Sequence, residues 1–496
     1  GTKVTAQLSG TTNYLVYGLL PNRTNLNEFA QYAYAKVTGT RMDWDYDRPN
    51  GQVKSTWTLT TTPLKNGQTN TLQGWLPHHY RTTQNNLVFK PYTYLTPRGL
   101  MKVAAGNQFQ VNFPFHGVAP MLPAPRTNGL PNDYVQSWME TYVQNFANAG
   151  HPNGDETYGA GKDLGVSAQY MTFASQMGLT GPAAQLKGAI KGRLQDWFTY
   201  TPGETHHFFA KYTNWPALIG FDASYGSQAF NDNHFHYGYY MVATALVGMT
   251  DPAWLDQYGP MAKLVAKEYA NWDRADTNFP LFRTFDIWEG HSWAGGTSGG
   301  GGENQESSSE AMNSWVGIFL MGNALNDDAM TAAGAMGYAM ESTAVNEYWQ
   351  DIYSTNFPAT YGKKMNGILT AGGLSFATYV DGDPAWVYGS QMWPKNHLNN
   401  YLVRNKAYAF IQFSNMWNDR IIWQPQWSNN VAYAAGNWVK YNGFIWSANN
   451  AVAAGQPAPS SSNPDWSLQR NISTSTAQDL GGYLGNYILG WELLFN

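Results

Sequence analysis

Three carboxylates follow a run of glycines at residues 295–302, at the start of a predicted helix: Glu303, Glu306 and Glu310. Glu306 and Glu310 are four residues apart, so a helix would place them on one face. Two like charges so close raise at least one pKa or require a cationic partner, and such pairs serve in proton transfer. The alternative is a solvated first turn, in which the carboxylates interact favourably with the helix dipole.

A further acidic candidate, Asp232, lies in residues 231–240, which are rich in histidine and aromatic side chains. His236 follows it by four residues and could face it across one helical turn. Asp232 with His234 and His236 could bind a divalent metal, but a third ligand at suitable spacing is missing and His291 would have to come from afar. The alternative is a carboxylic acid whose aromatic neighbours disfavour ionisation and make it a proton donor. An acid on one loop and a base on another are typical of glycoside hydrolysis.

Other kinds of catalytic site have little support in the sequence. There are no cysteines, which excludes disulfides, thiolate nucleophiles and thiolate metal sites. The surroundings of Ser167 and Ser227 lack the pattern of a nucleophile elbow. The glycine run has no Lys-Ser or Lys-Thr ending of a phosphate-binding loop. We interpret it as a hinge for a loop that closes over a substrate.

The composition of the 496-residue chain favours a partner with flat, apolar ring faces. Charged residues make up only 13% of the chain, against about 25% in typical soluble proteins. Its 21 Trp and 32 Tyr exceed what a core needs, and such rings are suited to stacking against sugars and to protein interfaces. The net charge of −5 without a basic stripe argues against a nucleic-acid partner, and no apolar run reaches membrane-spanning length. We expect a secreted monomer, although no signal peptide is recognised from Gly1 onwards.

The period of the hydrophobic residues changes along the chain. Residues 1–125 show the alternation of half-buried strands, most clearly at Val53, Ser55, Trp57, Leu59, Phe109, Val111, Phe113 and Phe115. Asn66 and Gly67 predict a tight turn. From about Tyr134 the period becomes helical, with further stretches near Leu164, Leu186, Phe235, Met261, Ser308, Met330, Leu402 and Ala477. About nine amphipathic helices separated by long loops indicate helices paired into a barrel or toroid.

Residues 427–469 interrupt the helical part with short β-strand signals around an Asn442-Gly443 turn. This segment holds four tryptophans: Trp427, Trp438, Trp446 and Trp466. So short a unit is not expected to bury every indole, and we predict that Trp446 and Trp466 are exposed and bind polysaccharide. The alternative is that both form the core of the segment.

Three long motifs resemble the signature blocks of glycoside hydrolase family 81. They are NDNHFHYGY at 231–239, FRTFDIWEGHSWA at 282–294 and ENQESSSEAMN at 303–313. Shorter matches are LQGWLPHH at 72–79 and YGAGKDL at 158–164. The resemblance covers residues 1 to about 425 and the last helix. Glu289 departs from the small residue expected there, and the β-rich part looks short.

The resemblance implies an inverting, endo-acting β-1,3-glucanase without a cofactor or metal, acting on β-1,3-glucan. It implies that Asp232 is the general acid, Glu306 the general base and Glu310 a second essential carboxylate. The implied substrate-binding residues are Tyr158, Lys162 and His236, and further candidate contacts are Trp215, His291 and Trp293.

The implied fold is multidomain, with an N-terminal β-sandwich packed on an (α/α)6 barrel. The predicted divisions are a β-sandwich at 1–125, the barrel with a linking region at 126–426, an insert at 427–470 and a final helix at 471–496. The insert also resembles small carbohydrate-binding modules of the family 5/12 type.

Two alternative functions fit part of the pattern. A hydrolase or lyase of another polysaccharide is one, because Lys162 with Tyr158 could supply the base of a lyase. A non-catalytic glucan-binding protein is the other, although it would leave the Asp232, Glu306 and Glu310 set without a purpose.

Overall fold

The computed structural model describes residues 15–121, 132–297, 303–391 and 397–469, apart from single positions 66, 82, 381 and 403, together with residues 3, 5–8 and 10. The predicted final helix at 471–496, Asn66 of the predicted turn and residues 298–302 of the glycine run lie outside the described residues.

Two antiparallel sheets form the N-terminal part. Their strands are β1 (Ala35–Asp47), β2 (Gln52–Pro63), β3 (Thr71–Trp75), β4 (Gln84–Asn85), β5 (Phe89–Thr96), β6 (Gly99–Gly106) and β7 (Gln108–Pro114). One sheet has the strand order β1–β2–β7–β4 and the other β3–β6–β5. Val53 pairs with Phe113 and Ser55 with Val111, and all four are buried, as the alternation predicts. The Trp57 ring meets the Trp75 ring edge-on at 5.7 Å, which joins the two sheets.

Helices dominate the rest of the described chain. The short helices α1 (Leu26–Tyr32) and α2 (Pro77–Tyr80) lie in the N-terminal part. The later helices are α3 (Asn132–Asn148), α4 (Thr157–Gln176), α5 (Thr180–Phe198), α6 (Asn233–Gly248), α7 (Pro252–Ala270), α8 (Ser308–Ala324), α9 (Asp328–Tyr348), α10 (Pro384–Gln391) and α11 (Lys406–Trp423). None of the helices within the described ranges is long and apolar enough to cross a membrane.

Alternate helices contact one another. Helix α4 packs on α6, α6 on α8 and α8 on α10, while each of these four also packs on the helix that follows it. Helices α6 and α8 are buried on nearly every side, as expected of helices in the middle of a domain. The candidate carboxylates lie at or just before the N-terminal ends of these two helices, so the buried core determines their positions.

Short strands connect the helices. They are β8 (Phe209–Tyr212) with β9 (Ala217–Gly220), β10 (Phe285–Asp286) with β11 (His291–Ser292), and a sheet of β12 (Asn304–Gln305), β13 (Ile368–Thr370) and β14 (Gly373–Ser375). One hydrophobic cluster extends from the N-terminal sheets into the helices. At that boundary the Phe115 ring meets the Phe319 ring at 5.1 Å.

The last described residues form a small sheet with its own core. Strands β15 (Trp438–Tyr441), β16 (Phe444–Ala448) and β17 (Trp466–Gln469) are antiparallel. Trp446 and Trp466 are only 5% and 4% exposed, and they belong to this core. The prediction that their rings face a ligand is therefore wrong. The alternative holds, because loops around the three strands supply Tyr433 and Val452 to cover the indoles.

We expect Trp466→Ala to destabilise this small sheet by about 3–5 kcal/mol, because truncating a buried aromatic side chain leaves a cavity. Hydrogen–deuterium exchange of β15–β17 amides measures the local opening free energy. Phe444→Ala is the matched control, since Phe444 lies on β16 but is 50% exposed, and its effect should stay within about 0.5 kcal/mol. Equal protection in both variants would contradict the core assignment.

Candidate active site

Asp232 lies in a loop with an unusual backbone. Asp222, Tyr225, Phe230 and Asp232 all have positive φ values, between 49° and 69°. Such left-handed conformations cost on the order of 1–3 kcal/mol each and cluster at functional sites. The Asp232 N–H donates to the Ala294 carbonyl at 2.9 Å, and α6 begins at the next residue.

The carboxyl group of Asp232 has a pKa well above its ordinary value. Burial raises its pKa to about 8, and the charges of Glu306 and Glu310 add to this effect. The Asn231 side-chain amide donates to Oδ2 at 2.7 Å, which opposes the rise. Asp232 is therefore mostly protonated at neutral pH, as a general acid requires.

Backbone hydrogen bonds connect the Asp232 loop to the segment before Glu306. The Ala294 N–H, one residue after the Trp293 side chain, donates to the Asn304 carbonyl at 2.7 Å. Asn304 in turn pairs with Thr370 of β13. Since Glu306 follows β12 directly, the main chain fixes the position of one carboxyl group relative to the other.

The described start of the glycine run packs on the same loop. The Thr297 N–H donates to the Ala229 carbonyl at 2.7 Å, and a Cβ atom on Gly296 would collide with that carbonyl oxygen. Residues 295–297 therefore support the Asp232 loop, whereas the hinge prediction for residues 298–302 concerns residues outside the described part.

Glu306 lies just before α8, because Ser307 is the N-cap and the helix begins at Ser308. The expectation that Glu306 and Glu310 share a helical face is therefore wrong. The Tyr379 N–H donates to Oε2 of Glu306 at 3.2 Å, and the Gln391 side-chain amide donates to its carbonyl oxygen. Glu306 is thus oriented by a segment far from it in sequence.

Glu310 is buried in the first turn of α8, which rules out the solvated turn considered above. Its Oε1 accepts hydrogen bonds from Tyr158 at 2.8 Å and from Tyr239 at 2.7 Å. The Lys162 Nζ donates to the Tyr158 hydroxyl at 3.3 Å. Three of the sequence candidates, Tyr158, Lys162 and Glu310, therefore lie together.

His236 and His234 are neutral in this site, because burial lowers the pKa of each to about 3. The Nδ1 atom of His236 is 3.0 Å from the Thr157 hydroxyl, and its ring lies 5.1 Å from that of Tyr158. The Nε2 atom of His234 is 3.3 Å from the side-chain nitrogen of Gln305. Within the described ranges no group of three or more His, Asp or Glu side chains could hold a metal ion.

The remaining candidates lie around this centre. Trp215 is exposed on the β8–β9 connection, and its ring packs 5.1 Å from that of Phe230. Trp293 is half-buried beneath the Arg98 guanidinium, at 5.5 Å. His291 is fully buried, so it has no surface with which to touch a substrate in this conformation.

His291 instead contacts Glu289, the departure noted in the motif. The Nε2 atom of His291 is 3.1 Å from the Glu289 carboxylate, and Arg98 Nε donates to the same oxygen at 2.9 Å. Burial opposes ionisation of Glu289, but the His291 and Arg98 interactions outweigh it and keep its pKa below the ordinary value. Because Arg98 also donates to the Thr370 carbonyl at 3.0 Å, this cluster ties the N-terminal sheets to β13.

A buried ion pair contacts the backbone of the Asp232 loop. The Arg283 guanidinium lies 2.7 Å from the Glu268 carboxylate and donates to the Phe230 carbonyl at 3.3 Å. Burial raises the pKa of Glu268, and Arg283 opposes that rise. The pair therefore fixes the backbone two residues before Asp232.

Sequence reasoning missed Tyr239, Gln391, Tyr379 and the Arg283–Glu268 pair. Tyr239 could have been found, because it lies in the 231–239 motif three residues after His236, on the same face of α6. Tyr379 and Gln391 are 73 and 85 residues from Glu306, in no motif, so no local signal pointed to them.

A comparison of the sequence with models of protein families shows which family the chain belongs to. The model of the glycosyl hydrolase family 81 C-terminal domain matches residues 132–456. The chain belongs to glycoside hydrolase family 81. The family 81 match contains Asp232, Glu306, Glu310 and the helices that carry them.

Two curated relatives support the family 81 assignment. The chain is 34% identical over 437 residues to a glucan endo-1,3-beta-D-glucosidase of Acetivibrio thermocellus, covering 87% of this chain and 56% of the relative. It is 31% identical over 438 residues to the protein of the same name from Thermobifida fusca, covering 87% and 57%. The chain thus spans little more than half the length of these relatives.

A solved family 81 structure from Clostridium thermocellum has a similar fold. It superposes with a TM-score of 0.77 at 34% sequence identity, covering 82% of this chain and 57% of that chain. The mixed sheet-and-helix architecture described above is therefore shared with a family 81 enzyme.

Proposed function

We propose that the chain is an endo-acting hydrolase of β-1,3-glucosidic linkages in glucans such as laminarin and curdlan. Family 81 membership and the names of the two relatives support this substrate class. The observation that carries the proposal is the hydrogen-bonded main chain from Asp232 through Ala294 to Asn304, which joins Asp232 to the segment before Glu306. Burial, together with the charges of Glu306 and Glu310, raises the pKa of Asp232 to about 8. Carboxyl groups held in different protonation states are the equipment of glycoside hydrolysis.

In the proposed mechanism Asp232 donates its proton to the glycosidic oxygen, and the C–O bond breaks. Glu306 removes a proton from a water that attacks the anomeric carbon from the opposite face, which inverts the configuration. Glu310 helps to keep Asp232 protonated through its charge. The Tyr158 and Tyr239 hydroxyls hold Glu310 in place.

Substrate contacts follow from what surrounds the carboxylates. We propose that Tyr158, Lys162 and His236 line the site beside Glu310 and that Trp215 and Trp293 stack against glucosyl units. His291 would act through Glu289 and Arg98 and not by direct contact. The Tyr158 hydroxyl donates to Glu310, an arrangement that suits a positioning residue and not the base of a lyase.

The finer architecture also belongs to this proposal. We propose a β-sandwich at 1–125, an (α/α)6 barrel with a linking region at 126–426, an insert at 427–470 and a barrel helix at 471–496, in a secreted monomer. The alternating helix contacts support the barrel. The insert would be a carbohydrate-binding module of the 5/12 type, with the half-buried Trp427 and Tyr441, whose rings lie 5.2 Å apart, in place of Trp446 and Trp466.

We expect the purified protein to release reducing sugar from laminarin and curdlan, and the first product to be the α-anomer. Inversion requires a water between acid and base, whose carboxyl groups stand roughly 6.5–9.5 Å apart in such enzymes. Proton NMR of the early products measures the anomer. Release of the β-anomer would make the enzyme a retaining one, and activity confined to a uronate polymer would refute the glucanase assignment.

A further inference from the structure

The loop between β14 and α10 places exposed aromatic side chains beside the catalytic carboxylates. Tyr379 is 68% exposed, yet its backbone N–H donates to Oε2 of Glu306 at 3.2 Å. Burial raises the pKa of its hydroxyl, and the charges of Glu306 and Asp232 add to this effect, as expected of a phenol on the same side of the molecule as both groups. Little of the chain covers this ring, although its main chain is fixed.

Both ends of this loop are anchored. At the start, the Gly367 N–H donates to the Ser375 carbonyl at 2.9 Å. At the end, Asp383 accepts the Ala385 N–H at 2.9 Å and the Arg420 Nε–H at 2.9 Å. Tyr379 is therefore displayed on a supported loop, which limits the entropy lost when a ligand binds.

A second exposed ring lies along the same loop. Trp423, the last residue of α11, is 48% exposed. A Cβ atom built on Gly382 would lie 3.7 Å from its Nε1 atom. Tyr379 and Gly382 are three residues apart, so their Cα atoms are separated by at most about 11 Å. A few glucosyl units can span that distance.

Arg420 joins this loop to the small C-terminal sheet. Its guanidinium bonds to Asp383 and lies over the Trp438 ring at 4.4 Å. In addition, Lys440 Nζ donates to the Ile422 carbonyl at 2.8 Å, and the Trp427 N–H donates to the Lys440 carbonyl at 3.0 Å. The end of α11, which includes Trp423, thus lies between the β14–α10 loop and the small C-terminal sheet.

We propose that Tyr379 and Trp423 form an aromatic strip that binds a β-1,3-glucan chain on the Glu306 side of the cleaved bond. Tyr379 contacts the glucosyl unit at the point of cleavage, and Trp423 stacks on a unit further along the chain. Flat rings with polar edges are suited to sugar faces, and both rings are exposed, Tyr379 on the anchored loop and Trp423 at the end of α11 beside Gly382. This inference rests on the proposed glucanase function and specifies the path of the bound glucan chain over the surface.

The test compares long and short substrates. Trp423→Ala is expected to lower kcat/KM on laminarin about two- to tenfold, the loss of one ring contact, and to leave that on laminaritetraose unchanged. Tyr379→Ala should lower kcat/KM on both substrates by about tenfold or more. Tyr379→Phe keeps the ring and separates the contribution of the hydroxyl. Tyr17→Ala is the control, because Tyr17 is an exposed aromatic residue of the N-terminal segment.

Three results would overturn the inference. Wild-type values of kcat/KM for both alanine variants would show that neither ring touches the glucan. An equal loss on both substrates for Trp423→Ala, or a lower unfolding midpoint for either alanine variant, would show that the ring packs on the chain itself. A wild-type enzyme that releases no sugar from laminarin or curdlan would refute the proposed function, and with it the strip, whereas an active wild type whose alanine variants keep the wild-type kcat/KM refutes the strip alone.

Discussion

Asp232→Asn is expected to lower kcat on laminarin by about 10²–10⁴, the usual contribution of a positioned general acid. The amide preserves the shape of the side chain but has no proton to give to the leaving oxygen. Binding of a laminari-oligosaccharide, measured by calorimetry, should remain close to that of the wild type. Asp256→Asn is the matched control, because Asp256 is exposed on the surface of α7. Near-wild-type turnover in Asp232→Asn would remove this residue from the mechanism.

The pH dependence provides an independent measurement on the same variant. Because the pKa of Asp232 is raised to about 8, kcat/KM of the wild type should fall above about pH 8. Between the ordinary pKa of about 3.9 and this raised value, the folded state holds a proton that the unfolded chain has released. Stability should therefore fall as the pH rises between those two values. Asp232→Asn has no such loss of stability, so its unfolding midpoint at pH 9 should be higher than that of the wild type.

Arg283→Met is expected to reduce the free energy of unfolding by about 3–5 kcal/mol, because it leaves the Glu268 carboxylate buried without its partner. It also removes the hydrogen bond to the Phe230 carbonyl, so kcat should fall together with stability. Urea unfolding and laminarin turnover measure the two effects.

Two variants test the reason for that loss. Arg283→Met combined with Glu268→Met removes both charges and should recover part of the lost stability. Arg41→Met breaks the exposed Arg41–Asp43 pair and should leave the unfolding midpoint unchanged, since exposed ion pairs contribute little. A single Arg283→Met variant as stable as the wild type would show that this ion pair is not needed.

The sequence predicted well what is encoded locally. The alternation around Val53 and Phe113 identified two paired strands, and two of the three motifs contain the carboxylates that the fold brings together. Asp232 and Glu306 are far apart in the chain, but the third motif and the motif of Glu306 contain Ala294 and Asn304, which connect them.

What the sequence could not show depends on long-range packing. Tyr379 reaches Glu306 across 73 residues without a periodic pattern. The Arg283–Glu268 pair joins a loop to a helix 15 residues earlier. The density of tryptophans in residues 427–469 did not reveal that Trp446 and Trp466 lie in the core of one small sheet, because the surrounding loops decide which side chains are buried.

The main-chain connection from Asp232 through Ala294 and Asn304 has a consequence for how such an enzyme can diversify. Because hydrogen bonds between peptide groups join the two segments that carry the carboxyl groups, aromatic side chains further from these groups can be exchanged with little effect on bond cleavage. Trp215, Trp293 and Trp423 are then free to change with the polymer that a lineage encounters. Libraries that randomise these three positions should yield many active variants with altered preferences for glucan length, whereas changes at Gly296 should yield very few.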